Sequence, residues 1–466
     1  MSVKAHIGVQ GTRSDRGILF DVLAPASVAE LLRDGGDVAR SVTPATLEAM
    51  RTQGPHVQTE DAAIVRALLE AGVVIIAKTT MPQTVMQVDT RSHLHGVTLN
   101  PRNLHLSPGG SSGGESALLA AGGSALGLGS DIGASDAMQA RRRLTPSTGG
   151  SVRQPAACVG LYGMRPTCGR LPMRGVRSTM AGAEGIVGSL GPFAHSLRDL
   201  RLISKVLLSG TAGGPTPPWV LDPHGCPRCP WREVLQPKKL RVGVMRCDGR
   251  VRPTPPVRRA MDTAVQQLAK VASVELVDFS LGSLGSEAWD LARELYFQEG
   301  GAVVRGLIES TGEPLLPLTQ AILGAPVRDH TAGEVWRLAS RREAHRRAFM
   351  ALWQSAELDV LLCPAAPLPA PRPGRVRYWG YTSHFNLWDM PGVVFPTATT
   401  ALHTTDAHWE QELESVPCTG DADEHHRAVF DGAPVGLQLI GQRWMEEELL
   451  AAVEVVAGAA GLGAGL

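Results

Sequence analysis

Two glycine-rich stretches hold serines where a nucleophile could be built. One is Ser107-Pro108-Gly109-Gly110-Ser111-Ser112-Gly113-Gly114-Glu115; the other is Gly149-Gly150-Ser151-Val152-Arg153-Gln154-Pro155-Ala156-Ala157. Glycine admits positive φ and lets backbone N–H groups approach a bound molecule closely. The adjacent Ser111 and Ser112 put two hydroxyls on one stiffened turn, where protons can be relayed. The chemistry this suits is relay of protons between hydroxyls beside a substrate that the backbone N–H groups approach closely. Lone serines in Gly-rich segments are more often plain turn residues, so residue type alone leaves both readings open.

Other uses of these glycines fit less well. Gly109-Gly110-Ser111-Ser112-Gly113 matches the G-x-S-x-G nucleophile elbow, which needs a core strand before it; Asn100 to Pro108 is instead polar and contains proline. A G-x-G-x-x-G nucleotide loop opening at Gly127 and Gly129 fails because Ile132 stands at the third glycine position, and no G-K-S/T phosphate loop is present.

The elements that must position these turns alternate between helical and strand patterns. Thr59 can cap a helix carrying Ile64, Val65, Leu68 and Leu69 on one face; Gly72 ends it, and Val73 to Ile76 reads as a buried β-branched strand. Arg241 to Met245 reads as a strand, Val257, Met261, Ala264, Val265 and Leu268 define a helix face, and Val274 to Leu281 is the next strand, together a β-α-β unit. The class is α/β. Residues 210–239 and 401–428 read as loops, and the proline-rich 363–374 as an extended segment.

The 466 residues are 43% hydrophobic, enough for a large core. Forty-five basic residues balance 45 acidic ones, which gives no electrostatic footprint for nucleic acid or an anionic membrane. The seven cysteines are scattered and odd in number, against a disulfide framework, and the Cys226-x-x-Cys229 pair lacks a second pair of ligands for zinc. The N-terminus lacks a signal-peptide core, Ala71 to Ala77 is too short to span a bilayer, and Glu454 interrupts the apolar tail. A cytoplasmic protein without stable membrane insertion or a metal is expected.

In order along the chain, these segments resemble the amidase signature family, whose members carry P-G-G-S-S-G-G-E, D-I-G-G-S-I/V-R-x-P-A and G-L-x-G-L/M-K/R-P-T. Gly127 to Gly133 and Gly149 to Ala157 together resemble the second of these, and Gly160-Leu161-Tyr162-Gly163-Met164-Arg165-Pro166-Thr167 the third. Ser189 to Pro192 with Ser196 to Leu200, and Asp431 to Gly441, are similar to two further family elements. Trp379 to Ser383 followed by Asn386 to Pro391 is similar to fungal acetamidase-like and fatty-acid-amide-hydrolase-like members. The resemblance covers nearly the whole chain. It implies one domain over residues 1–466, with a large twisted mixed sheet flanked by helices. It also implies hydrolysis of carboxylic amides to acid and ammonia or amine. The partner is then a small-molecule amide rather than nucleic acid, with room for a homodimer.

Carried over residue by residue, the resemblance makes Ser151 the nucleophile, Ser111 the relaying serine that follows a cis peptide bond, and Lys4 the base; Lys78 is read as structural. Lys4, held neutral by desolvation, would take a proton from Ser111, which takes one from Ser151. Backbone N–H groups among Ile132, Gly133, Thr148, Gly149 and Gly150 are the candidates for stabilising the oxyanion. No metal or organic cofactor is required. Arg153 is read as a structural ion-pair residue, and His384, His425 and His426 as ordinary loop residues.

Two departures from the family pattern stand out. Lys4 follows Met1 closely where family members carry a helical segment, which reads as an N-terminal truncation, and Ala5 replaces the usual acidic residue. A base on a fraying terminus is expected to be hydrated and protonated. Residues 134–149 interrupt the nucleophile motif; removing them rejoins Gly133 to Gly150-Ser151 and restores Asp-Ile-Gly-Gly-Ser-Val-Arg. This reads as an insertion such as a translated, unspliced intron would leave, with Ser147 and Thr148 at the positions of the missing Asp and Ile. Ser135, in Asp-Ile-Gly-Ala-Ser, lacks the downstream Val-Arg-x-Pro-Ala, and residues 24–58 are a second candidate insertion. The alternatives to a working amidase are an inactive amidase-fold remnant that binds ligands or partners, and a glutaminase subunit working with tRNA; Trp379 to Pro391 argues against the latter.

Overall fold

The structure, a computed structural model, describes residues 1–18, 57–131, 149–179, 182–209, 214–311, 313–324, 327–376, 378–402 and 430–459. Its strands are β1 (Ser2–Lys4), β2 (Ala77–Thr79), β3 (Arg91–Ser92), β4 (Gly96–Val97), β5 (Leu126–Asp131), β6 (Tyr162–Arg165), β7 (Ser189–Ala194), β8 (Leu240–Val244), β9 (Val274–Asp278), β10 (Val360–Pro364), β11 (Gly392–Thr400) and β12 (Pro434–Ile440). The helices used below are α1 (Ala63–Glu70), α2 (Gly113–Ala120), α3 (Arg153–Val159), α4 (Pro255–Leu268), α5 (Ser283–Tyr296), α6 (Ala332–Ser355), α7 (Gly380–Leu387) and α8 (Glu446–Ala459).

Ten strands form one mixed sheet in the order β2-β1-β5-β7-β6-β11-β12-β10-β8-β9, and β3 and β4 make a separate hairpin. The sheet is parallel at its two ends, where β1 lies between β2 and β5 and where β10, β8 and β9 follow one another. Its middle is antiparallel. Helices cover both faces, so β6, β7, β10 and β12 are buried along their whole length and read as continuous rather than alternating runs. One core is rich in aromatic residues from α5, α6 and α7; another packs α4 and α8 against β8, β10, β11 and β12.

The β8–α4–β9 unit follows the expected pattern, with β8 and β9 parallel. Three local expectations need correction. Helix α1 is capped at Ala62, not Thr59, and carries no side-chain cap. Tertiary acceptors replace the cap: Ala62 N–H donates to Gly8 O and Ala63 N–H to Arg174 O, each at 2.9 Å. Leu69 is exposed, while Gly72, at φ +81°, closes the helix with bonds from Gly72 and Val73 N–H to Leu69 and Leu68 O. Val73 to Ile76 is not a buried strand. β2 begins at Ala77, and Val74 and Ile76 are 72% and 59% exposed, because this run lies at the sheet edge beside Met1. His384 is not a loop residue; it sits fully buried in α7, where burial lowers its pKa to about 4. His425 and His426, most of 401–428 and most of 24–58 lie outside the described residues.

Candidate active site

Lys4 ends β1 with a side chain that is 0% exposed. The expected fraying does not occur, because β1 pairs with a strand on each side, Ser2 opposite both Ala77 and Gly127. Lys4 Nζ lies 2.6 Å from Ser111 Oγ and 3.1 Å from Ser130 Oγ. Burial holds its pKa well below the ordinary lysine range, against the opposing pull of the Asp131 carboxylate. A neutral amine at this place can accept a proton.

Ser111 follows a cis Gly110–Ser111 peptide bond at the head of α2. Its turn is pinned by Gly109 N–H to Ser107 Oγ (3.0 Å) and by Gly110 N–H to Gln154 Oε1 (3.1 Å). A Cβ on Gly110 would lie 2.5 Å from the Asp89 backbone nitrogen, so this close approach requires glycine. No strand directly precedes the turn, unlike a nucleophile elbow. Gln154 belongs to α3, which follows Ser151, and Ser112 N–H donates to Ser151 O at 3.2 Å. The two serine turns are thus hydrogen-bonded to each other at two points. Ser111 and Ser151 are both fully buried.

Asp131, at the end of β5, organises the Ser151 turn. Its carboxylate accepts Gly150 N–H (2.8 Å), Val152 N–H (3.3 Å), Arg153 Nε (3.0 Å) and Asn386 Nδ2 (2.8 Å). Burial opposes its ionisation, but the Arg153 and Arg165 guanidiniums hold the carboxyl below the usual range. The Asp131 carboxylate reaches across the interruption to Gly150, while Ser147, which stands at the position of the motif's aspartate, lies outside the described residues. Ile132, Gly133, Ser135, Ser147 and Thr148 lie outside the described residues. Gly150 has φ +104°, and a Cβ there would meet Thr382 Oγ1 at 2.1 Å.

Among the candidate oxyanion donors, Gly150 N–H is therefore committed to Asp131 and anchors the turn. Gly149 N–H donates to the Tyr296 hydroxyl at 3.1 Å, and a neutral hydroxyl is an acceptor that a substrate oxygen can replace. Arg153 is buried as an ion pair with Asp131 and also donates to Thr382 O (3.1 Å) and Asn386 Oδ1 (2.5 Å). Lys78 holds the N-terminal loop through Ser14 Oγ (2.6 Å) and Arg13 O (2.9 Å); burial lowers its pKa to about 8. Sequence reasoning did not single out Ser130, Tyr296, Thr382 or Asn386 as site residues. Thr382 and Asn386 lie in the Trp379–Pro391 stretch flagged by resemblance, but nothing in the sequence marks Tyr296.

Glu115, in α2, is fully buried and accepts Ser2 Oγ at 2.8 Å. Burial raises its pKa from the ordinary carboxyl range to about 8, so it is largely protonated at neutral pH beside Lys4. The folded chain then binds this proton more tightly than the unfolded chain, and the cost of ionising Glu115 develops as pH rises from 4.5 through about 8. We expect Glu115→Gln to fold and to lose less stability than the parent between pH 5 and about 9, read from urea midpoints across that range. A parallel decline in both proteins would rule out Glu115 as a source.

A cavity of about 260 Å³ opens beside Tyr296, walled by Trp289, Phe297, Leu318, Val376, Tyr378 and Trp379. Among the described residues no cluster of His, Cys, Asp or Glu is placed to hold a metal, and no helix is long and apolar enough to cross a membrane.

The amidase family model matches residues 44–136 and 145–450. The chain is 41% identical over 404 residues to a Schizosaccharomyces pombe protein that itself carries a provisional amidase name, covering 85% of this chain and 70% of that one. It is 34% identical over 417 residues to an acetamidase of Aspergillus oryzae, covering 85% and 71%. A solved fatty acid amide hydrolase superposes with a TM-score of 0.83 at 29% identity, over 99% of this chain and 73% of that one. The chain belongs to the amidase signature family, and its ten-stranded sheet is that family's fold. It is accordingly an amidase, a hydrolase of amide bonds.

Proposed function

We propose that the chain hydrolyses carboxylic amides through a Ser151–Ser111–Lys4 relay and an acyl-enzyme. The observation that carries this reading is the 2.6 Å contact between the buried Lys4 Nζ and Ser111 Oγ, on a turn bonded to that of Ser151. Neutral Lys4 accepts the Ser111 proton as Ser111 accepts that of Ser151, whose oxygen attacks the carbonyl carbon. Gly149 N–H supports the oxygen that becomes negative. When the intermediate collapses, the C–N bond breaks and the proton returns through Ser111 to the leaving nitrogen. A water molecule, deprotonated by the same relay, then cleaves the acyl ester and restores Ser151.

We also read 134–149 as an insertion within the nucleophile motif. The 2.8 Å bond from Gly150 N–H to Asp131 brings the flanks of this segment together, and the family match breaks between 136 and 145; both support the reading. Transcripts that retain the coding length of 134–149 as the dominant form would exclude an unspliced intron.

The test is labelling with a fluorophosphonate and peptide mapping, on this chain and on a variant lacking 134–149, in which Gly133 takes the place of Gly149 before Gly150-Ser151. Adduct on Ser151 in either is the expected result. Adduct on Ser111 instead would reverse the two serines' roles, and a folded protein with no adduct in both forms would favour an inactive remnant.

A further inference from the structure

We propose that Tyr296 couples filling of the aromatic cavity to release of the Gly149 N–H, making the enzyme selective for amides with an aryl-bearing acyl group over acetamide-sized ones. This rests on the reading of Ser151 as nucleophile and of the N–H two residues before it as an oxyanion donor, that of Gly149 here and of Gly133 where 134–149 is removed.

Tyr296 is the last residue of α5 and stands between two features. Its hydroxyl accepts Gly149 N–H at 3.1 Å, two residues before Ser151. Its ring forms part of the cavity wall. The fit at Gly149 is tight: a Cβ there would lie 2.7 Å from Tyr296 Oη, from Asn386 Oδ1 and from Ser383 Cα. While the hydroxyl occupies that place, a substrate oxygen cannot take the same N–H at full strength. Burial raises the Tyr296 pKa above the ordinary tyrosine range, so the acceptor is a neutral phenol, weaker than the oxyanion that would replace it.

The cavity indicates what would move it. At about 260 Å³ it has the volume of roughly nine waters at ~30 Å³ each, and the methyl group of acetamide leaves most of it unfilled. Its wall, which also includes Arg250 and Arg293, carries a cluster of rings: Trp289 lies 4.5 Å from Tyr378 and 4.9 Å from Trp379, centroid to centroid. A further ring can join such a cluster edge-to-face or offset-stacked. Elsewhere in this wall Tyr378 is held, since its Oη is bonded to the buried Asp248 carboxylate, and Trp379 packs edge-on against Trp289. An aryl group entering the cavity therefore presses on Tyr296 and lifts its hydroxyl from Gly149. A small acyl group must break that hydrogen bond without such help.

The experiment compares acetamide and phenylacetamide with the parent and with Tyr296→Phe, which keeps the ring and removes the hydroxyl. The parent should favour phenylacetamide. The substitution should raise kcat for acetamide about three- to tenfold, the worth of one ordinary hydrogen bond, and change phenylacetamide by less than about twofold. The labelling rate of Ser151 by a methyl fluorophosphonate should rise in the same proportion. Equal loss on both substrates would make Tyr296 a structural wall or an oxyanion donor and overturn the proposal; so would no change on either. Should Tyr296→Phe not fold, Trp289→Leu gives the second readout: phenylacetamide should lose about tenfold in kcat/KM and acetamide much less. Loss of both to the same degree would again overturn the proposal. Absence of Ser151 labelling in both the parent and the variant lacking 134–149 would instead defeat the underlying assignment of the nucleophile; labelling of that variant alone moves the same comparison onto it.

Discussion

Replacing Lys4 by methionine is expected to lower kcat/KM by about 10²–10⁴-fold, the usual contribution of a positioned general base, while leaving the chain folded. Methionine keeps the length and apolar stem of the side chain and removes the amine that touches Ser111 and Ser130. The pH dependence carries the sharper information. Burial holds the Lys4 pKa well below the ordinary lysine range, so parent activity should rise with pH through that lowered value as the amine loses its proton. That limb should be missing in the variant. Stability responds in the same direction: the unfolded chain binds the Lys4 proton more tightly, so the parent gains stability as pH rises from the lowered value toward that of an ordinary lysine. Lys4→Met should be relatively most stable at the acid end of that window. Activity within tenfold of the parent, with its pH limb intact, would remove Lys4 from the relay.

From its position near the start of the chain alone, Lys4 is expected to be a hydrated base. Burial of β1 comes from its two partners, β2 and β5, whose residues 77 and 127 face Ser2. Such non-local pairing leaves no trace in residue spacing. The same limit explains Val73 to Ile76, where β-branched composition is equally suited to an edge and to a centre, and only the sheet order decides. The glycine turns themselves were legible, because Gly110 and Gly150 each face a neighbour that forbids a Cβ. Asp131 was visible within its motif, yet its grip on Gly150 was hidden by the residues between them. Tyr296 was not legible: it lies 147 residues from Gly149, and α5 looks like any amphipathic core helix until its last side chain is placed.

Asp131→Asn should cost about 3–5 kcal/mol of stability, the range for breaking a buried ion pair by removing one partner. The carboxylate is fully buried and accepts from Gly150, Val152, Arg153 and Asn386. An asparagine amide would turn an NH₂ donor toward some of these donors and leave the buried Arg153 guanidinium without its counter-charge. The parent's advantage should hold above the ordinary carboxyl pKa and shrink as pH falls through the depressed value, which puts the convergence of the two proteins in strong acid. Urea midpoints at neutral and acid pH measure this directly. The double variant Asp131→Asn with Arg153→Met should cost less than the sum of the single ones, because the second change removes the charge that the first leaves unpaired. Fluorophosphonate labelling then separates packing from catalysis. In a folded Asp131→Asn protein Ser151 should react more slowly, since the N–H groups of its turn have lost the acceptor that aligns them. A parent-like midpoint together with parent-like labelling would mean that Asp131 holds neither the turn nor the charge balance. The restoration of Asp-Ile-Gly-Gly-Ser by removal of 134–149 would then lose its structural basis, because Asp131 is the group that joins the two ends of that break.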